Sequence, residues 1–180
     1  MNEVQPIRDP EMIEQMKREL AKNGSRDLFL FTFGINTGLR ISDILELTVG
    51  DVRGKTHVNI QERKTEKKKR FKLHYELKEA IDDYTKNMND TDYLFKSKRG
   101  NKPIQRVQAY KILNRAAKNI GLEEIATHTM RKTFGYHFYK KTGDIAMLQE
   151  IFNHSAPSVT KRYIGITQDE IDKVIDGFYL

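Results

Sequence analysis

The chain has 180 residues, of which 38% are hydrophobic and 32% are charged, so it can build one domain with an ordinary core under a heavily charged surface. The formal net charge of +7 favours polyanionic partners, of which nucleic acid is the commonest, although a merely soluble basic protein has the same balance. The absence of cysteine excludes disulfides and cysteine-ligated zinc sites, and the longest apolar run, residues 28–35, falls far short of the roughly 20 residues that span a bilayer.

The N-terminal third predicts three helices. Asp9-Pro10-Glu11 is typical of a helix start, with an N-cap, a proline in the first turn and an acid near the positive end of the dipole, and this helix should extend to about Asn23. A second helix, apolar on most faces and therefore a core element, should begin near Arg26 and end where Gly38 adopts a left-handed conformation. A short third helix should follow to Leu47, with two candidate caps, Ser42 and Thr37.

A change of hydrophobic period then predicts a small antiparallel hairpin or a three-stranded sheet. Residues 55–61 alternate, with Val58 and Ile60 on one face, and residues 70–74 alternate again. The connecting residues 62–69 are rich in lysine and arginine, so the turn between the strands should be strongly basic.

Helical patterns return in the rest of the chain. The architecture should therefore be mainly α with a small antiparallel β-sheet, an α+β fold in one domain. A loop with four positive charges and no acid, residues 96–103, separates the first two of these helices. The predicted helices cover residues 76–87, 104–119, 128–141, 145–152, 158–164 and 169–178.

Two arginines are candidates for holding a phosphate without a metal ion. The sequence has no convincing carboxylate cluster for Mg²⁺, whereas a guanidinium donates paired hydrogen bonds to phosphate and stays charged. Arg40 follows a glycine-terminated helix and can project from the next helix N-terminus, which favours anions. The alternative is a surface arginine paired with Asp43 or Glu46. Arg131 lies three residues after His128, so a helix places both on one face, although a helix-start histidine beside a solvated arginine has the same spacing.

Three further residues complete a set for attack on a phosphodiester. Tyr163 is the candidate nucleophile, but its phenol needs neighbouring cations or a base because the ordinary pKa is about 10. His154 can assist only if its loop folds back towards the tyrosine. Lys64, in the basic turn, can protonate a leaving oxygen, or the whole turn can simply bind backbone phosphates. Each of these residues taken alone fits an ordinary core or surface position.

Taken together, these segments resemble the catalytic domain of the tyrosine recombinase (phage integrase) family over nearly the whole chain. Residues 37–47, Thr-Gly-Leu-Arg-Ile-Ser-Asp-Ile-Leu-Glu-Leu, are similar to the family's first arginine box, and Arg63-Lys64-Thr65 resembles the hairpin with its catalytic lysine. His128-Thr129-Met130-Arg131 resembles its His-x-x-Arg box. His154-Ser155, with Tyr163 nine residues after the histidine, resembles its final box.

The resemblance implies a site-specific DNA recombinase, such as the integrase of a mobile genetic element, that cleaves and rejoins DNA without a metal, ATP or another cofactor. Tyr163 would attack the scissile phosphate, form a 3′-phosphotyrosyl intermediate and free a 5′-hydroxyl. Arg40 and Arg131 would stabilise the pentacoordinate transition state, and Lys64 would protonate the leaving 5′-oxygen.

Three other positions are implied to support these groups. His128 would assist proton transfer at the tyrosine, His154 would hydrogen-bond the phosphate, and Asp43 would support the first arginine from behind. Two positions depart from the family pattern, since Asn153 replaces the usual glycine before the second histidine and Lys132 replaces the frequent histidine after the second arginine. Neither departure removes a catalytic group.

Basic side chains around the site are expected to contact the DNA backbone. Those in the hairpin turn are also rivals of Lys64 for the role of general acid. The predicted DNA-binding residues are Lys67, Lys68, Lys69, Arg70, Lys98, Arg99 and Lys102.

The expected organisation is a linker remnant in residues 1–9, a catalytic domain in residues 10–166, and a C-terminal helical segment in residues 167–180. That segment is either exchanged between protomers or packed on its own domain. Because Arg8-Asp9-Pro10 resembles a linker junction, we favour a catalytic domain separated from an N-terminal DNA-binding domain over a short stand-alone recombinase.

The implied partners are double-stranded DNA, further copies of the chain in a tetrameric synapse on DNA, and accessory DNA-bending proteins, with no membrane. The expected location is the cytoplasm, with the nucleoid. Two alternatives share the chemistry or the fold: a type IB topoisomerase that relaxes DNA, and a non-catalytic DNA-binding module. The short spacing from His154 to Tyr163 favours a recombinase over a topoisomerase, and the intact set of six residues argues against a silent module.

Overall fold

The computed structural model describes residues 4–62, 64–123 and 125–179, which form a mainly helical fold with one two-stranded antiparallel sheet. The strands are β1 (His57–Gln61) and β2 (Lys68–Lys72). The helices are α1 (Pro10–Ala21), α2 (Ser25–Thr37), α3 (Ile41–Ile44), α4 (Tyr75–Thr85), α5 (Arg106–Asn119), α6 (Thr127–Thr142), α7 (Ile145–Phe152), α8 (Pro157–Tyr163) and α9 (Ile166–Asp176). The predicted α+β fold class is confirmed.

The first helices begin and end as their sequence predicts, except for α3. The Asp9 side chain accepts a hydrogen bond from the Glu11 amide at 2.9 Å, and Gly38 closes α2 in the left-handed region, with φ of 62°. The prediction that Ser42 or Thr37 caps α3 is wrong, because Arg40 occupies the N-cap and the helix ends at Ile44. The Thr37 hydroxyl instead donates within α2, to the Phe33 carbonyl at 2.9 Å.

The hairpin pairs Val58 with Phe71 and Ile60 with Lys69. Its second strand begins at Lys68, two residues earlier than the alternation suggested, so part of the predicted turn is paired strand. Of the two predicted arrangements, the described residues form the hairpin, and Arg63 in its turn lies outside them.

Two hydrophobic cores both include side chains of α6. The larger is built from α1 to α5 and the sheet, with Phe31, Phe33 and Leu113 almost fully buried. The smaller joins α7, α8 and the start of α9 through four buried side chains: Leu148, Phe152, Ile164 and Ile166.

A glycine on α6 sets how closely the smaller core approaches. A Cβ at Gly135 would lie 2.7 Å from side-chain atoms of Ile164 and Phe152, so only hydrogen fits at this position. The backbone of α6 therefore touches the second core directly.

The segment before α1 packs on the domain. Ile7 is buried, its amide donates to the Thr133 hydroxyl at 2.9 Å, and its carbonyl lies 2.9 Å from His137 Nε2. Arg8 forms an ion pair with Asp169 at the start of α9. In the described part of the chain, no helix has both the length and the apolar character needed to cross a lipid bilayer.

Candidate active site

Arg40 is positioned by the turn that ends α2. Gly38 reverses the chain, and Arg40 follows with extended backbone at the N-cap of α3, in place of the predicted caps. Its Nη1 lies 2.7 Å from Oε1 of Glu62, and its side chain is 16% exposed. The sequence had offered Asp43 and Glu46 as partners and had not named Glu62.

Glu62 is a buried acid directly after β1. Its side chain is 2% exposed and accepts a hydrogen bond from the Thr65 hydroxyl at 2.7 Å. Burial acts to raise the pKa of this carboxyl, but hydrogen bonds from Thr65 and Arg40 and the charges of Arg40 and Lys69 hold the pKa below its ordinary value. Glu62 is therefore a fixed negative charge behind the first arginine.

Arg131 is held by two backbone carbonyls. Nη1 donates to the Gly38 carbonyl at 2.6 Å and Nη2 donates to the Phe152 carbonyl at 2.9 Å, while the guanidinium carbon lies 4.1 Å from the centre of the Phe152 ring. Burial is the main cause that lowers the pKa of Arg131, to about 10, so the group remains positively charged at neutral pH. Because these contacts come from α2 and α7, the second arginine ties both cores to α6.

His128 and Tyr163 meet across the site. His128 Nδ1 lies 3.3 Å from the Tyr163 hydroxyl, and which atom carries the proton depends on the histidine tautomer. Burial, followed by the charges of Arg106 and Arg131, lowers the pKa of His128 below its ordinary value. A neutral imidazole within reach of a phenol can accept the phenolic proton.

Opposing influences act on the Tyr163 phenol. Burial raises the pKa of Tyr163, whereas the charges of Arg131 and Arg40 and a hydrogen bond from Arg131 act to lower it. Lys132 Nζ lies 5.0 Å from the centre of the tyrosine ring. Lys132, at the position where the family frequently has histidine, thus places a buried cation beside the ring of the candidate nucleophile.

His154 is folded back onto the tyrosine, as its predicted role requires. The two ring centres are 5.1 Å apart, and His154 Nδ1 lies 3.0 Å from the Thr160 hydroxyl in α8. Burial, then the charges of Arg131 and Arg40, lowers the pKa of His154 to about 4, so the imidazole is neutral at pH 7.

Lys64 is exposed and lines a cleft of about 360 Å³ with Arg40, His128 and Arg131. Arg106, at the start of α5, lines the same cleft and was not singled out from the sequence. The cleft has the dimensions of a small-molecule or single-phosphate site and carries four basic side chains besides its histidine.

Lys69, one of the rivals of Lys64, points into the protein. Its side chain is 16% exposed, Nζ lies 3.5 Å from Glu62 Oε1, and Nζ also donates to the Ile151 carbonyl. Burial lowers the pKa of Lys69, as does the charge of Arg131, while Glu62 opposes the change. This environment differs from the exposed phosphate contact expected for Lys69.

The other predicted DNA-binding side chains are exposed. Three of them line a wide surface depression of about 810 Å³ together with Arg26 and Lys111; they are Lys98, Arg99 and Lys102. Lys67, Lys68 and Arg70 lie on the hairpin.

Asp43 is buried on α3, and its negative charge favours the charged form of Arg131. The expected support of Arg40 by Asp43 stays a prediction. No group of three or more histidine, cysteine, aspartate or glutamate side chains suited to a metal ion occurs among the residues that the structure describes.

Two of the residues missed from sequence had a readable signal. The alternation of Val58 and Ile60 continues to Glu62, which places an acid on the buried face of the strand and so requires a cationic partner. Thr160 lies three residues before Tyr163 on α8, a spacing that shares one helix face. Arg106 had no comparable signal, because only the tertiary fold brings α5 to the cleft.

Comparison with known proteins identifies the family of this chain. The model of the phage integrase family matches residues 8–170. The probable integrase/recombinase YoeC of Bacillus subtilis (strain 168) is 57% identical over 169 residues, which cover 94% of this chain and 93% of that protein. The tyrosine recombinase XerD of Corynebacterium glutamicum is 28% identical over 159 residues, covering 84% of this chain and 52% of XerD, so the chain spans about half of that relative.

A solved structure shows the same fold. The Tn1549 transposon integrase, determined in complex with a circular intermediate DNA, superposes with a TM-score of 0.75 at 19% identity, covering 96% of this chain and 67% of the integrase chain. The relatives carry integrase and recombinase names, which favours the recombinase interpretation over the type IB topoisomerase. The resemblance stated from the sequence is confirmed: the chain belongs to the phage integrase family.

Proposed function

We propose that this chain is the catalytic domain of a site-specific DNA recombinase that cleaves and rejoins DNA through a 3′-phosphotyrosyl intermediate. One observation carries the proposal. The Tyr163 hydroxyl lies 3.3 Å from His128 Nδ1, beside Arg131 and next to the cleft that Arg40 and Lys64 line. These side chains would supply a nucleophile, a base, two phosphate-binding cations and an acid within one site.

The proposed step is an in-line exchange of oxygen atoms at phosphorus. The Tyr163 oxygen bonds to the scissile phosphorus and gives its proton to His128, the bond from phosphorus to the 5′-oxygen breaks, and Lys64 protonates that oxygen. Arg40 and Arg131 balance the charge that develops on the non-bridging oxygens. Because the phosphotyrosyl bond replaces one phosphodiester bond, a 5′-hydroxyl of another strand can reverse the step without an external energy source.

The two arginines are preorganised differently. Arg131 is fixed by the Gly38 and Phe152 carbonyls, and Arg40 by the carboxylate of Glu62. Fixed donors need no reorganisation when the transition state forms. For neutral His154 to donate to a phosphate from Nε2, the single proton of the Thr160 hydroxyl must go to Nδ1, at 3.0 Å, in place of the Ala156 carbonyl, at 3.4 Å.

Double-stranded DNA is the proposed substrate. The net charge of +7 and the exposed lysines and arginines of the hairpin and of loop 96–103 support binding to phosphates. The similar transposon integrase is named as a complex with DNA.

Self-association on DNA through the end of α9 is also proposed. Its first half is tied to its own domain, since Lys161 pairs with Glu170 at 2.9 Å and Ile166 is buried. Its second half and the residues that follow it expose apolar side chains, with Val174 69% and Phe178, two residues beyond the helix, 63% exposed. This division is compatible with a helix that stays with its domain and offers its far end to a neighbour in a synapse.

The direct test is capture of a covalent adduct. A pool of duplexes with a randomised core and single nicks is incubated with the protein in EDTA, so that the short 5′-hydroxyl fragment can diffuse away after cleavage. We expect an adduct that survives denaturation and maps to Tyr163 by mass spectrometry, and the DNA in that adduct identifies the preferred site. Retention of DNA without any adduct would contradict the proposed catalysis.

A further inference from the structure

Three cations contact three consecutive residues at the end of α7. The Ile151 carbonyl accepts from Lys69 Nζ, the Phe152 carbonyl accepts from Arg131 Nη2 at 2.9 Å, and Asn153 Oδ1 accepts from Lys67 Nζ at 2.9 Å. We call residues 151–153 the α7 junction. Two of its three cations come from the β1–β2 hairpin, and the third comes from α6.

The α7 junction is a place where cations stabilise the backbone. The last carbonyls of a helix have no partner within the helix and form the negative end of its dipole. Asn153 ends α7 in the left-handed region, with φ of 54°, where the family usually has glycine. The substitution of asparagine for glycine adds the side-chain oxygen that Lys67 binds.

The junction leads directly to the reacting groups. His154 follows Asn153, and its Nδ1 lies 3.0 Å from the Thr160 hydroxyl in α8. Tyr163 is the last residue of that helix. A shift of the junction therefore moves both side chains relative to the cleft.

Lys64 and Lys69 have different surroundings on the same hairpin. Lys64 is exposed and lines the cleft, whereas the Nζ of Lys69 is directed at Glu62 and the Ile151 carbonyl. A lysine whose donors are used inside the protein is suited to hold two segments together rather than to protonate a leaving oxygen.

We propose that Lys69 is a positioning residue that ties the β1–β2 hairpin to the α7 junction, and so couples the placement of Lys64 to that of His154 and Tyr163. This inference rests on the proposed recombinase function. Glu62 extends the connection, because it contacts both Lys69 and Arg40.

The catalytic test compares Lys69→Met with Lys72→Met. Lys72 is an exposed lysine on the same strand, so both variants lose one charge, but only Lys69 contacts the junction. With the duplex recovered from the adduct pool, we expect Lys69→Met to slow single-turnover cleavage at saturating DNA by about 10- to 100-fold, since a small misplacement of reacting groups has effects of this size. Lys72→Met should retain the wild-type rate.

Two readouts separate positioning from a DNA contact. Lys69→Arg, which keeps the charge and can still donate to a carbonyl, should recover most of the rate, and the DNA dissociation constant of Lys69→Met should match that of Lys72→Met. A Lys69→Met defect that disappears at saturating DNA would overturn the inference and make Lys69 a phosphate contact. Equal cleavage rates for Lys69→Met and Lys72→Met would overturn it as well.

A measurement without DNA distinguishes failure of this inference from failure of the proposed function. Amide hydrogen exchange of residues 151–163 should be faster in Lys69→Met than in Lys72→Met or the wild type, with little change in α1 and α2. Unchanged exchange would overturn the inference even if the wild-type protein cleaves DNA. If Lys69→Met exchanges faster but the wild-type protein forms no adduct, the link between the hairpin and the α7 junction stands and the proposed recombinase function fails.

Discussion

The two cores of this protein contribute unequal parts of the site. The larger core, beneath α1 to α5, fixes Arg40 through the turn after α2. The smaller core of α7 to α9 carries His154 and Tyr163 and, among the residues that the structure describes, has four buried apolar side chains. Arg131 contacts both through the Gly38 and Phe152 carbonyls. Arg40 therefore rests on the more extensively packed region and the candidate nucleophile on the less extensively packed one, and Arg131 links the two.

This difference suggests a division between a rigid receptor and an adjustable nucleophile. Segments with few buried apolar contacts open at lower free energy than segments in a large core. A recombinase of the proposed kind must hold the phosphate while the tyrosine attacks and is later displaced by a second strand. Five predictions test this division, from the largest expected effect to the smallest.

Tyr163→Phe should abolish covalent chemistry. Removal of the nucleophile should reduce adduct formation by about 10⁴-fold or more, since no other group replaces a catalytic nucleophile efficiently. The ring contacts with Phe152 and His154 survive in phenylalanine, so the fold and the DNA dissociation constant should hardly change. Adduct yield on denaturing gels and binding titrations are the measurements, and an adduct from this variant would refute the assignment of Tyr163.

The cleavage rate should depend on pH through His128. Only the neutral imidazole accepts the tyrosine proton, and the lowered pKa of His128 keeps it neutral to a pH below the ordinary value of about 6.5. The rate should therefore hold through neutrality and fall about tenfold per pH unit only below the lowered pKa. His128→Gln should cleave about 100-fold more slowly than the wild type, and its rate should no longer fall at acid pH through this group. An acid limb centred above pH 6.5 in the wild type would contradict this role.

The lowered pKa values of His128 and His154 also make the folded protein less stable as the pH falls. The folded protein disfavours protonation of His128 and of His154, whose pKa is about 4, whereas the unfolded chain protonates both near pH 6.5. Their contribution to stability is complete above pH 6.5 and is lost as pH falls from there towards the folded pKa values. Denaturant titrations at pH 7.5 and 5 should show the lower free energy of unfolding at pH 5.

Gly135→Ala should disturb the smaller core more than Gly34→Ala disturbs the larger one. The new Cβ at Gly135 meets the Phe152 ring and Ile164 at 2.7 Å, whereas at Gly34 it meets the Met130 sulfur at 2.5 Å, on a flexible side chain that can move. We expect Gly135→Ala to cost about 1–3 kcal/mol of stability and to slow cleavage by about tenfold. Thermal unfolding measures the loss of stability, and single-turnover cleavage measures the loss of rate. A larger loss of stability in Gly34→Ala than in Gly135→Ala would reverse the ranking.

Substitution of the exposed apolar residues in α9 and just after it should have the smallest effect on the isolated chain. Val174→Ser with Phe178→Ser should change the free energy of unfolding by no more than about 0.5 kcal/mol, because both side chains are more than half exposed. Cooperative binding to a duplex with two sites should weaken if this face contacts a neighbouring copy. Unchanged cooperativity would remove α9 from the proposed synapse.

Much of this site could be predicted because its parts are local. Gly38 and Arg40 are two residues apart at one turn, and the spacing of His128 and Arg131 requires only a helix. The choice among the hairpin lysines could not be made in the same way. Which lysine faces the protein depends on the strand register and the turn length, and the alternation did not reveal that β2 begins at Lys68.

Other contacts depend on tertiary distances. Arg40 and Glu62 belong to different segments, and the approach of His154 to Tyr163 depends on how α8 packs against the end of α7. The cap of α3 was missed for a local reason, since the Thr37 hydroxyl bonds within its own helix.

The most direct test of the central claim is whether both cores of one chain form one working site. Tyr163→Phe and Arg131→Ala, each expected to be inactive alone, are mixed on the recovered duplex as chains of distinguishable mass. The structure, in which Tyr163 lies beside Arg131 of its own chain, predicts no more adduct from the mixture than from either variant. An abundant adduct on the Tyr163 of the Arg131→Ala chain would show that the tyrosine acts in a neighbour's site, and would contradict the account.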